Sequence, residues 1–269
     1  SSFEVLKLDK NGSLLWHDRY SYSSSELRNI PLAMCIDNKG SVYVTGTCQT
    51  DVNDYAIVTL KYDGSGNQIW HHEYDSLGLV DGAGGIKFLE NGGSPRIVVY
   101  GVSGSTTSSW DFVSIIINAT TGAGLDRTRI NNPNAYFAKP TDIVKDDFNN
   151  IYATGTVQTG LNNTDIKVIK MDTFMNVIWV QTFDGGAMKN DEATAMKLDS
   201  KGNILITGYA SRSNNAKELW LMKLNNAGTK LWDRRRYNPK GAGAEGKEVE
   251  TDANGNVYTV GKLHSGVDY

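Results

Sequence analysis

The sequence predicts an all-β fold built from five copies of one four-stranded unit, because two series of markers recur with the same spacing. A short apolar run that ends in glycine recurs at intervals of 53 to 55 residues, and these glycines are Gly46, Gly101, Gly155, Gly208 and Gly261. A tryptophan recurs at a matching position in four copies, as Trp16, Trp70, Trp179 and Trp232, with Asp126 in the remaining place. Two independent markers with one period divide the chain into units of about 54 residues.

Each unit contains four short apolar runs. In the first complete unit they are IPLAMCID, VYVTG, AIVTLKYD and the run through Trp70 to Tyr74. The runs are rich in Val, Ile, Tyr and Thr, and Gly, Asn and Asp separate them, which is typical of strands joined by tight turns. Helical spacing is not sustained over any window of about 11 residues. Four antiparallel strands, repeated in this way, predict a β-propeller.

The phase of the repeat predicts how the propeller closes. The chain begins at a third strand, FEVLKLD from Phe3, and stops at Tyr269, where another third strand would start. Four blades are then complete, and a fifth would combine strands from about residues 246–261 with strands from residues 3–20. Such a shared blade leaves no loose strand edge. We therefore expect one domain over residues 1–269 with five four-stranded blades, the last shared by the N- and C-terminal segments; an open arc from a larger propeller is the alternative.

The composition argues against two kinds of partner. The 269 residues carry Lys+Arg 27 against Asp+Glu 30, a formal charge of -3, whereas nucleic-acid-binding proteins normally have a basic surplus. No apolar run approaches the roughly 20 residues needed to span a bilayer, so membrane insertion is not expected. The opening SSFEVLKLD shows no signal-peptide pattern, so an export signal is either absent or removed.

The repeats resemble a known family. DYAIVTLKYDGSGNQIWHHEY at 54–74, with DSKGNILITG and DANGNVYTVG in later copies, is similar to the SBBP-type bacterial β-propeller repeats. The third copy departs from the pattern at Ile116, Asn118 and Asp126. The resemblance implies an exported bacterial protein, extracellular or at the cell surface, and it implies no catalytic residues. Because propellers of this family have seven blades, the resemblance also keeps open the alternative that the chain is a fragment of a larger propeller.

Asp-x-x-Gly motifs stand in the predicted turns, beginning at Asp9, Asp37, Asp63, Asp199 and Asp252. Calcium loops of the EF-hand type need a bidentate Glu eleven residues after the first ligand, and none of the five motifs has one. A hairpin turn explains the motif instead, because Asp accepts bonds from its own backbone and Gly supplies positive φ. We expect turns rather than calcium sites here.

Four tryptophans at one repeat position could form aromatic platforms for sugars. A residue that occurs once per blade is more often used for packing between sheets, where a Trp buries about 150–250 Å². The lysines at one strand position can lay their stems over apolar neighbours in the same way, and they are Lys7, Lys61, Lys170 and Lys223. We expect both series to be structural.

Cys35 and Cys48 flank one predicted hairpin turn. Cys35 should face about residue 43, which places Cys48 about five residues, roughly 16 Å, further along the strand. A disulfide needs Cα atoms within about 7 Å. The sequence therefore predicts two free thiols.

Acidic residues gather at the start of the predicted innermost strands, where propellers bind ligands at the mouth of the central channel. We select as candidate ligand-binding residues Asp81, Asp142, Asp191, Glu192 and Glu245. Lys139 and Lys247 lie among them and could neutralise the group; otherwise it could recruit a cation such as calcium. Two carboxylates could also serve glycoside hydrolysis. No catalytic residue, metal ligand or cofactor is assigned.

The expected function follows from what the sequence contains and lacks. No nucleophile–base pair, metal cluster or phosphate-binding loop stands out, while the repeated residues have packing explanations. We expect a non-enzymatic binding or scaffolding propeller that recognises a protein or a glycan. A lectin with a channel-mouth site and a glycosidase-like carbohydrate-active enzyme are the alternatives, and membership of a larger surface assembly stays open.

Overall fold

The computed structural model describes residues 1–22, 27–76, 80–90, 94–106, 109–130, 137–238 and 243–263. Within these ranges the regular secondary structure consists of β-strands alone, in agreement with the predicted all-β class. The described residues include no helix long and apolar enough to cross a bilayer. The chain divides into two compact units, Ser1–Asn132 and Pro133–Tyr269.

The first unit holds one two-stranded and two four-stranded antiparallel sheets, in the orders β1-β2, β3-β4-β5-β6 and β7-β8-β9-β10. Its strands are β1 (Phe3–Leu8), β2 (Leu14–Tyr20), β3 (Asn29–Ile36), β4 (Val42–Asp51), β5 (Asp54–Tyr62), β6 (Gln68–Tyr74), β7 (Asp81–Leu89), β8 (Arg96–Thr106), β9 (Ser109–Asn118) and β10 (Gly124–Ile130).

The second unit repeats this organisation with sheets β11-β12-β13-β14, β15-β16-β17-β18 and β19-β20. Its strands are β11 (Ala138–Lys145), β12 (Ile151–Gly160), β13 (Asn163–Met171), β14 (Val177–Phe183), β15 (Glu192–Leu198), β16 (Ile204–Ser211), β17 (Lys217–Leu224), β18 (Lys230–Arg236), β19 (Ala244–Thr251) and β20 (Val257–Leu263). Among the described residues, the two units together contain the four complete four-stranded sheets that the repeat predicted.

The recurring glycine has a steric cause. In five sheets the recurring glycine lies on the second strand and pairs with a residue of the first strand. Directly after that pair the first strand has a β-bulge, for example between Ala193, which pairs with Gly208, and Ala195. The bulge brings a carbonyl of the first strand onto the glycine: a Cβ on Gly208 would lie 1.9 Å from the carbonyl oxygen of Glu192. The same contact measures 2.3 Å at Gly46, Gly101 and Gly261. A side chain at this position is therefore excluded in four of the five copies.

The core of each unit lies between adjacent sheets. In the first unit, Tyr43 and Ile57 of one four-stranded sheet pack with Ile86, Ile97 and Val113 of the next. In the second unit, Tyr152 and Ile166 pack in the same way against a cluster from β15–β17, namely Met196, Ile206 and Trp220. The second strands β4 and β16 are buried on both faces, which explains why they read as continuous apolar runs.

The Asp-containing turns form as predicted. The carboxylate of Asp9 accepts hydrogen bonds from the backbone N–H groups of Asn11 and Ser13, both at 2.8 Å, and Gly12 has a φ of 85°. The other four motifs repeat these bonds, at Asp37, Asp63, Asp199 and Asp252. In each turn the aspartate thus accepts hydrogen bonds from backbone N–H groups of the same turn.

Three tryptophans and three lysines of the repeat series join neighbouring sheets, in agreement with the structural interpretation, whereas Lys223 pairs with Asp199 in a turn of its own sheet. Trp70 and Lys61 both donate to the carbonyl oxygen of Ala119, in the last turn of the next sheet, at 3.3 and 2.7 Å. Trp16 and Lys7 donate to Gly64 in the same manner. In the second unit, Trp179 Nε1 lies 3.1 Å from the Asn226 carbonyl oxygen, and Lys170 Nζ lies 2.7 Å from Asn226 Oδ1. Each pair therefore fixes one sheet to the outer turn of the next.

Both cysteines are free thiols, as predicted. Cys35 pairs with Tyr43 across the ladder between β3 and β4, and Cys48 pairs with Asn29. Burial raises the pKa of each thiol to about 12. Neither cysteine is therefore a reactive nucleophile in the folded protein.

Candidate functional site

A polar cavity opens at one end of the strands in the second unit. It has a volume of about 330 Å³ and lies where the connections β12–β13, β14–β15 and β16–β17 meet. The lining side chains are all polar or charged: Asn162, Lys189, Asn190, Tyr209, Ser211, Asn215 and Lys217. Sequence reasoning selected none of these residues, because they lie on connections or at strand ends, where the repeat has little regularity.

One wall of this cavity is fixed by a charged network. Lys217 Nζ lies 3.8 Å from the centroid of the Tyr209 ring and 2.7 Å from Glu245 Oε1. The Tyr209 hydroxyl donates to Glu192 at 3.2 Å, and Lys139 donates to the other oxygen of Glu192. Tyr209 and Lys217 are thus held in place, and the partly exposed Lys189 lines the cavity from the β14–β15 connection.

Three carboxylates converge beside this cavity. Asp165 belongs to β13, Asp184 directly follows β14 and Asp191 directly precedes β15. One oxygen from each carboxylate lies within 4.8 Å of those of the other two. Asp165 and Asp191 are buried, with 6% and 1% of their surface exposed, while Asp184 is open to solvent. The cluster joins the cavity through Ser211, whose backbone N–H donates to Asp191 at 2.9 Å.

The charges in this cluster are costly to bury. Burial raises the pKa of Asp191 to about 6, and the charges of Asp165 and Asp184 act in the same direction, against backbone hydrogen bonds from Ser211 and Gly185. Burial also raises the pKa of Asp165, although the Thr159 hydroxyl donates to one of its oxygens at 2.7 Å. The sequence identified Asp191 but missed Asp165 and Asp184.

Asp81, in the first unit, occupies the position equivalent to Asp191 and is also buried. Its two oxygens accept bonds from the backbone N–H of Ser76 at 2.6 Å and from the Ser76 hydroxyl at 2.9 Å. Burial raises its pKa, and the bonds from Ser103 and Ser76 oppose that rise. Asp81 therefore supports the connection before β7.

The other predicted mouth residues of the second unit are bonded to protein groups. Asp142 lies after the bulge of β11, and its oxygens accept the backbone N–H groups of Ile143 at 2.7 Å and Met196 at 2.9 Å, so that it links β11 to β15. Glu192 pairs with Lys139, and Glu245 with Lys247 and Lys217. The alternative in which Lys139 and Lys247 neutralise acidic neighbours is confirmed for these two glutamates; ligand binding by the five selected residues stays a prediction.

The Glu245 ion pairs predict acid sensitivity. Despite burial, bonds and charges from Lys217 and Lys247 lower the Glu245 pKa to about 2, against 4.5 in an unfolded chain. A lowered folded-state pKa stabilises the protein above about pH 4.5, and this contribution disappears as the pH falls towards 2. We expect Glu245→Gln to cost about 2 kcal/mol at pH 7 and almost nothing near pH 2, measured by urea unfolding across that range. The control Glu250→Gln removes an exposed pair with Lys197 and should have a much smaller effect at pH 7; equal losses in both variants would contradict the assignment.

Comparisons with known proteins bear on the fold. No protein-family model and no curated protein matches the chain. Among solved structures, the Dos1 propeller is similar with a TM-score of 0.61 at 14% identity, over 96% of this chain and 59% of that one. The GH93 α-L-arabinofuranosidase of Fusarium graminearum, in complex with arabinobiose, is similar with a TM-score of 0.56 at 12% identity, over 97% of this chain and 80% of that enzyme. The chain thus spans less than two thirds of the Dos1 propeller. These likenesses, with the repeated four-stranded sheets, show that the chain has β-propeller architecture.

Proposed function

We propose that this chain is a binding propeller whose ligand is a glycan, held in the polar cavity of the second unit. The observation that carries the proposal is the lining of that cavity, which places three asparagine amides, a serine, a tyrosine and two lysines around about 330 Å³. Amide, hydroxyl and ammonium groups hydrogen-bond the hydroxyls of a sugar, and small-molecule sites commonly use a few such convergent groups. The volume suits one or two sugar rings.

The charge of the cavity favours an acidic sugar. Lys189 and Lys217 both line it, and none of its described lining residues is acidic. Although Lys217 is paired with Glu245, Lys189 is partly exposed and lies on the β14–β15 connection. Leu161 and Met188, which are 91% and 79% exposed, flank two of the lining residues and could cover the apolar face of a ring. A carboxylated oligosaccharide matches this combination.

A binding experiment tests the proposal. On an array that includes uronic and sialic acid oligosaccharides, the protein should bind acidic members, and titration calorimetry should then show at least about tenfold weaker binding for Lys189→Ala. Lys201→Ala removes an exposed lysine from a turn at the other end of the β15–β18 sheet and should bind like the native chain. The proposal would be wrong if the protein bound no glycan and instead captured a protein that the Lys189→Ala variant fails to capture. The ligand of the cavity would then be a protein.

A carbohydrate-active enzyme is the second candidate, because the carboxylates of Asp165 and Asp191 are neighbours and burial raises the pKa of Asp191 to about 6. Their oxygens lie within 4.8 Å, which is closer than the about 5–5.5 Å of retaining glycosidases. Binding alone is favoured, since Asp191 is 1% exposed and its two oxygens accept the N–H groups of Gly185 and Ser211. Hydrogen bonds of this kind favour the ionised carboxylate, whereas a general acid has to hold a proton. Hydrolysis of 4-nitrophenyl glycosides that Asp191→Asn abolishes would overturn this preference.

We propose further that the propeller has five blades, with β1–β2 and β19–β20 sharing the last one. The support is the phase of the repeat and the rule that each of Trp16, Trp70 and Trp179 bonds the outer turn of the next sheet. In a closed ring Trp232 would meet the turn at Asp9, so Trp232→Ala should destabilise the protein about as much as Trp70→Ala. A cost below about 1 kcal/mol for Trp232→Ala would favour an open arc.

The family and the location are also proposals. The resemblance of the repeats to the SBBP type supports an exported bacterial protein, at the cell surface or outside the cell. Fractionation of the source cells with an antibody tests this, and recovery of the native protein solely from the cytoplasm would contradict it.

A further inference from the structure

We propose that Asp165, Asp184 and Asp191 form a binding site for a divalent cation, and that calcium is the ion it takes. The three carboxylates come from one strand and from both ends of the β14–β15 connection, and they present one oxygen each within 4.8 Å of one another. Calcium accepts several carboxylate oxygens in irregular geometry and completes its shell with water. The exposed Asp184 leaves a route by which the hydrated ion can enter.

Hydrogen bonds, but no cationic side chains of the described residues, offset the charge of the cluster. Among the described residues, none of the three aspartates forms an ion pair with Lys, Arg or His. Three carboxylates at this separation repel one another, and two of them are also shielded from water. A divalent cation would remove both costs at once.

An orphaned buried oxygen points independently to a ligand. Asp165 is 6% exposed, and its Oδ1 atom is buried without a hydrogen-bond partner in the described structure. Its other oxygen accepts a bond from Thr159, and Asn163 in turn donates to the Thr159 hydroxyl at 2.9 Å, so the carboxylate is held in orientation. A buried carboxylate oxygen left unsatisfied is costly unless something binds it.

The chain contains a natural comparison in its first unit, where β3–β6 meets β7–β10. Lys61 and Lys170 are equivalent in the repeat, and five residues before them stand Ala56 and Asp165 respectively. The equivalents of Asp184 and Asp191 are the acidic Asp75 and Asp81. That junction therefore lacks the third carboxylate, and Ser76 satisfies both oxygens of Asp81.

A second comparison lies one sheet further along the second unit. There Glu218 occupies the position of Asp165, five residues before Lys223. Arg212 and Arg235 pair with it, with N–O distances of 3.3 and 3.8 Å. The repeat places an acid at this position in three sheets, as Asp111, Asp165 and Glu218. Glu218 is neutralised by two arginines, whereas Asp165 meets two further carboxylates instead of a cationic side chain.

Bound calcium would tie β13 to both ends of the β14–β15 connection, which carries the cavity residues Lys189 and Asn190. The inference does not require a glycan ligand, because the ion is recognised by its own donors. Loss of glycan binding would therefore leave it intact, and its failure would leave the cavity proposal standing.

Thermal unfolding and titration calorimetry with calcium chloride test the site. After treatment with EDTA and dialysis, calcium should bind with one site per chain and raise Tm by about 5–10 °C at a hundredfold excess over its Kd. Identical Tm values in calcium and in EDTA, with no heat of binding, would overturn the proposal.

Variants locate the ion. Asp165→Ala copies the residue of the first unit, and it should abolish the calcium-dependent rise in Tm while matching or exceeding the native Tm in EDTA, since repulsion is relieved. Asp184→Asn changes an exposed side chain and gives a second test should Asp165→Ala fold poorly; it should weaken calcium binding at least about tenfold. Asp75→Asn, at the equivalent junction, should keep the full rise. Retention of the rise in both cluster variants would place the ion elsewhere and refute the assignment.

Discussion

Gly208→Ala is expected to destabilise the protein by about 3 kcal/mol or more and to lower Tm by about 6–12 °C. The added Cβ would stand 1.9 Å from the carbonyl oxygen of Glu192 and about 3 Å from the backbone of Ala193. Both obstacles are backbone atoms within a bulge, so no side chain can turn away to make room. Relief requires opening of the ladder between β15 and β16, in a strand that is buried along its whole length.

Gly64→Ala is the matched control. Gly64 lies in the turn between β5 and β6, and the nearest atom to an added Cβ is 3.9 Å away. Its carbonyl oxygen, which accepts bonds from Lys7 and Trp16, is unchanged by the substitution. We expect a change in stability within about 0.5 kcal/mol by urea unfolding. If Gly208→Ala were as mild as this control, the bulge would not be the reason for the recurring glycine.

The periodic features of this fold could be predicted because they report contacts that every sheet must make. The bulge excludes a side chain at Gly46, Gly101, Gly208 and Gly261, and the junction between sheets places Trp16, Trp70 and Trp179 on the next turn. Each of these contacts requires one residue type, so the same residue recurs at the equivalent position of successive repeats. Strand order, turns and the free cysteines follow from this regularity.

The candidate site could not be predicted in the same way, because its cavity lies on irregular connections and its carboxylates meet only through contacts between sheets. Asp165 differs from Ala56 at an equivalent position, and nothing in the sequence says that its side chain meets Asp191 from the following sheet. Asp142 is expected at the start of an innermost strand, but it lies within β11, beyond the bulge, and its carboxylate accepts a bond from Met196 on β15. Convergence across sheets depends on register and on connections, which apolar patterning does not encode.

The second large effect is expected at Trp70. Its ring is 9% exposed, packs against Tyr43 with centroids 5.8 Å apart, and donates to the Ala119 carbonyl oxygen of the next sheet. Removing a buried Trp side chain typically costs about 3–5 kcal/mol, through lost transfer free energy and the cavity left behind. We expect Trp70→Ala to destabilise the protein by this amount in urea unfolding.

Two further variants separate the parts of that effect. Trp70→Phe keeps most of the apolar contact with Tyr43 and loses the bond to Ala119, so it should cost about 1–2 kcal/mol. Ile69→Ala changes the preceding residue, which is 50% exposed, and should cost less than about 1 kcal/mol. Because Lys61 donates to the same carbonyl oxygen at 2.7 Å, the acceptor stays satisfied when Trp70 is lost. The indole of Trp70 fills the space against Gly122. If Trp70→Phe lost as much stability as Trp70→Ala, the shape of the indole would stabilise the junction between the sheets more than its apolar area does.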